Sequence, residues 1–251
     1  MMHFQFTDSH TQFLDIFFDM QRKRDYPLID IINAILLVVD SGMKWRQVTV
    51  TGLPWELVYY YFITWRNNGT WDNFLRALVV LEREQSGRES DPTAFIIDSQ
   101  SINNDAFVSE KVDFDGGKGI RGRKRTIACD TSGNLLACSV DCANIHDGKL
   151  GVKLLANLFY DYPDLEKSWA DSAYGGHFRK VAQNEYDLQV EIVRGQKKKG
   201  FHVQPRRWKV EQTIALLNKS RRLAKDYEHT IKSAVCVLNI AWILVLLPRL
   251  F

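Results

Sequence analysis

The hydrophobic pattern of the chain changes near residue 90. Before this point, apolar side chains recur every three or four positions, which is typical of amphipathic helices. Helices are predicted over four segments: 11–20, 27–42, 53–69 and 70–81. These segments define a helical N-terminal module, residues 1–88, for which DNA binding and a purely structural role both remain open.

After a polar linker at 86–92, short apolar runs alternate with helical segments. Strands are predicted at 94–97, 125–129, 135–142, 168–170 and 188–193, and helices at 147–159, 178–186, 205–223 and 234–247. The turn sequence at 130–134 joins two of the strands into a hairpin. Strands mixed with crossover helices predict an α/β domain with a mixed sheet over residues 89–251.

Composition and other sequence features add four expectations. With 45% hydrophobic and 25% charged residues among 251, the chain is typical of a soluble globular protein. The four cysteines lack CxxC spacing, which favours free thiols in a reducing cytosol over a metal site. The apolar stretch 234–247 is shorter than the roughly 20 residues of a membrane span and contains Asn239, so we expect a core helix and no membrane role. Residues 1–18 lack the basic leader of a signal peptide, so the expected location is the cytoplasm, with the nucleoid.

Charge is distributed unevenly along the chain. Residues 1–90 carry 9 basic and 11 acidic side chains, whereas residues 116–232 carry 22 basic and 13 acidic ones. A single basic run is usually a solvated face, but four runs in one half predict a polyanionic partner such as nucleic acid. The runs are Arg121, Arg123, Lys124 and Arg125; Lys197, Lys198 and Lys199; Arg206, Arg207 and Lys209; and Lys219, Arg221, Arg222 and Lys225.

Three acidic residues are candidates for chemistry. Asp98 and Asp171 each follow a predicted strand, where active-site groups gather in α/β sheets, although turns also favour Asp. Glu211 lies on the polar face of the predicted helix 205–223, with Arg207, Asn218 and Arg222. The alternative there is a surface ion pair between Arg207 and Glu211.

Two Asp and one Glu can hold a pair of Mg²⁺ ions about 3.5–4 Å apart. Such a pair activates an attacking water or hydroxyl and stabilises the leaving oxygen in phosphoryl transfer, while nearby basic side chains hold the phosphate backbone. Asp130 is a rival ligand, although a role in forming the hairpin turn is favoured. Asp147 is predicted to cap the next helix, and His177 either starts a helix or contacts substrate.

Several motifs occur in order along nearly the whole chain. They are GMKWR at 42–46, DSQS at 98–101, KGIRGRKR at 118–125, DTSGNLL at 130–136, ADSAYGG at 170–176, RWKVEQT at 207–213 and RRLAKDYE at 221–228. Together they resemble the DDE transposases of bacterial insertion sequences, specifically the insertion-sequence-5 family.

The resemblance implies a ribonuclease-H-like catalytic core with an N-terminal all-helical module that binds DNA ends. It implies cutting at terminal inverted repeats and joining of the 3′-OH ends to target DNA by two-metal phosphoryl transfer. Asp98, Asp171 and Glu211 match the catalytic, metal-binding acids, with Mg²⁺ as cofactor and Mn²⁺ as a substitute. The implied partners are double-stranded DNA, at the element ends and the target, and a second copy or more of the chain.

The basic residues expected to contact DNA are Arg121, Arg123, Lys124, Arg125, Lys197, Lys198, Lys199, Arg207, Lys219 and Arg222. Which basic residue after Glu211 contacts DNA stays open, because Asn218 and Lys219 stand where the wider superfamily has a basic side chain. Two alternatives to a transposase remain: a metal-dependent nuclease of the same fold that only cuts, and a non-catalytic DNA-binding regulator derived from a transposase.

Overall fold

The computed structural model describes residues 4–193 and 208–251. The helices are α1 (Thr11–Phe18), α2 (Leu28–Ser41), α3 (Trp55–Asn67), α4 (Thr70–Gln85), α5 (Asp147–Asp161), α6 (His177–Tyr186), α7 (Trp208–Leu217) and α8 (Ile231–Leu250). The strands are β1 (Ala94–Asn103), β2 (Asp113–Asp115), β3 (Ile120–Asp130), β4 (Leu135–Cys142), β5 (Lys167–Ala170) and β6 (Gln189–Ile192). The order of helices and strands follows the prediction, with β2 as an addition.

The chain forms two compact units that interleave along the sequence. The helical unit comprises Met1–Glu82, Leu217–Ala224 and Cys236–Phe251, and the sheet unit comprises Arg83–Leu216 and Lys225–Val235. The predicted boundary at residue 88 lies near the first crossing between them. Two later segments also belong with the N-terminal helices, because their apolar side chains are buried there. The assignment of separate functions to residues 1–88 and 89–251 stays a prediction.

Local sequence sets the ends of the N-terminal helices. Pro54 directly precedes α3, and Gly42 ends α2 with φ 73°, a left-handed conformation in which its N–H bonds to the carbonyl of Val38. Glycine adopts this conformation without the steric cost that a Cβ brings. Between the helices, aromatic rings pack edge to face, with Phe18 and Trp65 at 4.8 Å between ring centres. The four predicted N-terminal helices are therefore confirmed.

Helix α8 is longer than the predicted apolar stretch. Among the described residues it is the one helix long and apolar enough to cross a membrane, judged by length and composition, and 67% of its most apolar window is buried inside the protein. Asn239 in this helix donates to Asp72 Oδ1 at 2.7 Å, which satisfies its amide away from bulk water. The length argument against a membrane span was wrong, and the burial supports the predicted core helix instead.

The sheet is mixed and has β1 at its centre. Strand β1 pairs in parallel with β5, which pairs in parallel with β6. On its other side β1 pairs antiparallel with β3, and β3 pairs with both β4 and β2 along its far edge. The fold is thus an α/β fold with a ribonuclease-H-like mixed sheet and N-terminal helices, as predicted.

Strand β1 extends six residues beyond its predicted end at residue 97. The extension exists because β3 supplies an antiparallel partner as far as Asn103, opposite Gly122. At Gly122 the strands approach so closely that an added Cβ would lie 1.9 Å from the carbonyl oxygen of Ile102. Asp98 therefore lies within a strand, not after one as predicted, although the parallel partner β5 stops at Ala170.

The helix predicted over 205–223 is confirmed over Trp208–Leu217, but its predicted continuation to residue 223 is wrong. Within the described residues, α7 ends at Leu217, and a separate 3-10 helix follows at Arg221–Leu223. Ser220 between them has φ −70° and ψ 114°, an extended conformation that interrupts the helix. Glu211 and Arg222 consequently do not share a helical face.

Most of the basic run in β3 is buried. Arg123, Lys124 and Arg125 are 0%, 5% and 3% exposed, whereas Arg121 is exposed. Arg123 pairs with Asp226 at 3.1 Å and donates to the Glu228 carbonyl. This burial argues against the prediction that these three side chains contact DNA.

The other two buried cations lie in differing surroundings. Lys124 pairs with Asp147 at 2.8 Å and donates to the carbonyl of Ile145. Burial lowers the pKa of the Arg125 guanidinium to about 10, and the nearby charges of Asp226 and Glu228 offset part of that shift. These side chains are enclosed because β3 has a strand on each side and elements packed on both faces.

Replacing Arg123 should test a structural role against a DNA-binding role. We expect Arg123→Gln to lower the free energy of unfolding by about 3–5 kcal/mol, because it leaves Asp226 buried without its partner. The matched change Arg121→Gln, two residues away and exposed, should alter stability little. Urea denaturation of both variants measures this, and equal stability of the two would contradict a structural role for Arg123.

Candidate active site

The register between β1 and β5 brings two of the predicted acids together. Ile96 pairs with Trp169, and continuing this parallel register by two residues places Asp98 beside Asp171. Side chains alternate between faces along a strand, so both aspartates fall on the face that carries Ile96 and Trp169. Neighbouring strands lie about 4.8 Å apart, which makes the two residues neighbours across the sheet.

Helix α7 packs on the same face of the sheet. Thr213 in α7 donates to the carbonyl of Gly133 at 2.7 Å. Burial raises the pKa of the Cys129 thiol, and the nearby hydroxyl of Thr213 opposes part of that shift. Cys129 lies opposite Ile96 in the antiparallel pair, so it belongs to the face of the two aspartates. Glu211 lies on this helix two residues before Thr213, which is roughly 200° around the helix axis, and it is exposed. The structure therefore places the helix that carries Glu211 on the face of the two aspartates, but it does not turn the Glu211 side chain toward the sheet as Thr213 is turned.

The three carboxylates do not lie close enough together in the structure to form a metal-binding site. Across residues 4–193 and 208–251, no group of three or more His, Cys, Asp or Glu side chains is placed to hold a metal ion. Glu211 is exposed on α7, and Asp98 is half-buried. The set nevertheless consists only of carboxylates, the hard oxygen donors that suit Mg²⁺ and Mn²⁺.

Backbone N–H groups orient both aspartates. Asp98 Oδ1 accepts a hydrogen bond from the N–H of Ser99 at 2.8 Å. Asp171 caps the 3-10 helix Ser172–Tyr174, and its Oδ1 accepts from the N–H of Ala173 at 2.9 Å. One oxygen of each carboxylate is thus held in place by the chain itself.

Tyr174 ties the loop after Asp171 to strand β1. Its hydroxyl lies 2.7 Å from Ser99 Oγ, which is 3.2 Å from the hydroxyl of Thr126. The ring fits because α5 has Gly151 at this point, where an added Cβ would lie 2.8 Å from the Tyr174 ring. Sequence reasoning missed this tyrosine, although the glycine in an otherwise apolar helix face was a signal of close packing.

Burial raises the pKa of Tyr174 well above its usual range. The hydrogen bond to Ser99 opposes this shift, and the charges of Asp98, Asp147 and Asp171 add to it. The tyrosine is therefore a neutral hydrogen-bonding group at physiological pH.

Asp130 forms the hairpin turn, as favoured from sequence. It is fully buried, and its Oδ1 accepts from the N–H groups of Ser132 and Asn134. Its other oxygen pairs with Arg83 at 2.5 Å, and Arg83 also donates to carbonyls of the linker. With these bonds, Asp130 is a structural residue and not a rival metal ligand.

The start of α5 differs from the prediction. His146 caps this helix through its Nδ1, which accepts from the N–H of Gly148, whereas Asp147 stands in the first turn and pairs with Lys124. A cavity of about 340 Å³ opens at Ser172 and Ala173, and it is also lined by His146, Lys149 and His177. His177 begins α6, which confirms its predicted place at a helix start, and it also lines this cavity, while its contact with substrate stays a prediction.

The remaining basic candidates fall into three groups. Lys219, like Arg121, is exposed. Arg222 is 7% exposed, and its guanidinium donates to the carbonyl of Met43 at 2.9 Å, so it serves the packing of the helical unit. The predicted DNA contacts Lys197, Lys198, Lys199 and Arg207 lie outside the described residues.

Three features are together typical of the nucleic-acid-processing enzymes with a ribonuclease-H-like core. They are the order of the strands, the aspartates associated with two neighbouring strands, and a helix packed on the sheet face of those aspartates. A family model for the transposase DDE domain matches residues 89–246, and a model for transposases of the IS4/5 family matches residues 13–75. The first match spans more than half of the chain. The chain therefore belongs to the DDE transposases of the IS4/5 type. A search of curated proteins gave no significant match.

Membership in this family establishes the general kind of protein. The chain is a DNA-cleaving enzyme of an insertion sequence, and its substrate is DNA. Enzymes with this domain use divalent metal ions.

Replacing Tyr174 by Phe should change how stability depends on pH. The pKa of Tyr174 is raised in the folded protein. Its contribution to the free energy of unfolding is therefore complete below pH about 10, the pKa of tyrosine in the unfolded chain, and is lost as the pH rises further. Near pH 8 we expect Tyr174→Phe to be less stable by about 1 kcal/mol, through loss of the Ser99 bond. Above pH 10 that deficit should shrink or reverse.

Denaturation of wild type and variant across pH 7–11 measures this difference. Tyr160→Phe is the control, because Tyr160 is 88% exposed and should show no such dependence. A deficit that stays constant with pH would contradict the role of the buried hydroxyl.

Proposed function

We propose that the protein cuts DNA at the terminal inverted repeats of its element and joins the freed 3′-OH ends to target DNA. Asp98, Asp171 and Glu211 are the catalytic and metal-binding residues in this proposal. The observation that supports it most is the parallel register of β1 and β5, whose continuation brings Asp98 beside Asp171 on the sheet face where α7 packs.

The carboxylates would hold two Mg²⁺ ions, with Mn²⁺ as a substitute. When bound, such ions supply charge stabilisation to the attacking and leaving oxygens of phosphoryl transfer. The chain contributes the orientation of the ligands, since Asp98 and Asp171 each accept a backbone hydrogen bond. Glu211 supplies the third carboxylate from α7, which Thr213 anchors to the hairpin turn.

The proposed partners follow from the reaction. Double-stranded DNA is needed both as element end and as target, and at least two protomers are expected because two ends must be joined. The helical module, residues 1–88, would bind the ends, and exposed Arg121 and Lys219 are the described candidates for phosphate contact. The reaction would take place in the cytoplasm, on the nucleoid.

Neutralising either aspartate should separate chemistry from binding. We expect Asp98→Asn and Asp171→Asn to lose cleavage and strand transfer in Mg²⁺ while retaining affinity for end DNA, because phosphate contacts come from Lys and Arg elsewhere. Glu211→Gln should behave likewise. Gel assays of cleavage, strand transfer and binding on one labelled end fragment measure all three.

Asp164→Asn is the matched control, since Asp164 is an exposed aspartate in the loop before β5. Near-normal strand transfer by Asp98→Asn would refute the assignment. Loss of binding together with chemistry would indicate misfolding, which circular dichroism and thermal melting of the same samples identify.

Pre-cleaved ends distinguish the proposal from its alternatives. A transposase joins such ends to a target plasmid, a nuclease of the same fold cuts but does not join, and a regulator does neither. The half-buried, hydrogen-bonded setting of Asp98 and Asp171 favours an enzyme over the regulator, because binding alone has no need of oriented carboxylates.

A further inference from the structure

Two segments far apart in the sequence meet in the helical unit at the end of α2. An added Cβ at Gly42 would lie 3.1 Å from Cβ of Arg221 and 3.2 Å from the backbone nitrogen of Arg222. Arg222 donates to the carbonyl of Met43 at 2.9 Å. Residues 42–46 and 219–222 therefore form one continuous surface.

Exposed cations come from both segments. The first contributes Lys44 and Arg46, and the second contributes Lys219 and Arg221, all of them exposed. Neither 41–55 nor 217–224 contains an acidic residue. Positive charge is thus concentrated here, although residues 1–90 as a whole carry more acids than bases.

Aromatic side chains hold the surface in shape. The Arg222 guanidinium lies 5.4 Å from the ring centre of Trp45, and that ring packs against Phe62 at 4.6 Å. Arg46 lies over the ring of Trp55 at 5.2 Å. A guanidinium already resting on a ring loses less conformational freedom when it binds an anion.

We propose that Lys44, Arg46, Lys219 and Arg221, here called the composite basic patch, bind the phosphate backbone of DNA. The proposal rests on the DNA-joining function proposed above and adds the surface through which the helical unit holds its substrate. Duplex DNA fits because it presents closely spaced phosphates to several cations at once. Contacts to phosphate position the duplex without reading its sequence.

A competing explanation is purely structural. Lys44 and Arg221 lie near the C-terminal end of α2, where cations interact favourably with the helix dipole. Their replacement would then lower the stability of the protein and leave its DNA affinity unchanged. Stability and binding must therefore be measured on the same variants.

The test is DNA binding across a salt series by two matched double variants. Lys44→Gln with Arg221→Gln removes one Lys and one Arg from the patch. Arg22→Gln with Lys23→Gln removes the same charges from an exposed loop elsewhere in the helical unit. Each phosphate contact contributes about −0.9 to the slope of log affinity against log salt.

The patch variant should flatten this slope by up to about 2, and the loop variant should leave it nearly unchanged. The loss should be equal on element-end DNA and on random duplex of the same length, since the contacts are to phosphate. The single variant Lys219→Gln changes an exposed cation two residues before Arg221, and it should flatten the slope by about 1 if the fold is intact.

Three results would contradict the proposal for the composite basic patch. An unchanged slope for both the double patch variant and Lys219→Gln would show that the patch does not contact DNA. An equal effect of the patch and loop variants would show that the slope depends on the total charge of the protein and not on this patch. A stability loss in the double variant with an unchanged slope for Lys219→Gln would support the structural explanation.

The proposed function is judged separately, on the wild-type protein. If wild type cleaves and joins ends while the patch variants keep its salt slope, only the patch fails. If wild type neither binds nor cuts DNA, the proposed function fails and the patch fails with it.

Discussion

The candidate site depends on the register of one strand. Strand β1 is held in parallel by β5 and antiparallel by β3, and its run Phe95–Ile97 is completely buried. A slip of one residue would turn every side chain to the opposite face and take Asp98 away from Asp171. Burying this apolar run on both faces therefore fixes the register, and the register fixes the neighbouring acids.

Local patterns predicted most of the fold but not its long-range pairing. Helices, strands and the hairpin followed from periodicity and turn residues, and both aspartates were found as acids next to apolar runs. The extension of β1 and the burial of Arg123 were not foreseeable, because their causes lie elsewhere. Arg123 meets Asp226, which is 103 residues away in sequence, and no local pattern reports such a partner.

The basic run in β3 shows how strand geometry changes the meaning of a charge pattern. Adjacent side chains on a strand point to opposite faces. Arg123 accordingly reaches Asp226 on one face, while Lys124 reaches Asp147 at the start of α5 on the other. A run that resembles an exposed phosphate-binding segment instead fastens a different element to each side of the sheet. Only Arg121, near the beginning of the strand, remains exposed.

Phosphoryl transfer with metal ions makes opposite electrostatic demands on one protein. Cations beside the carboxylates would compete with the metal, yet the DNA backbone needs cations. The buried Arg and Lys of β3 meet the first demand because acidic partners neutralise them inside the sheet unit. In the proposed function, the second demand would be met by cations exposed elsewhere, including Lys219, which follows Glu211 by eight residues on the same stretch of chain. The short segment after α7 would then connect the proposed third carboxylate to the proposed phosphate-binding patch.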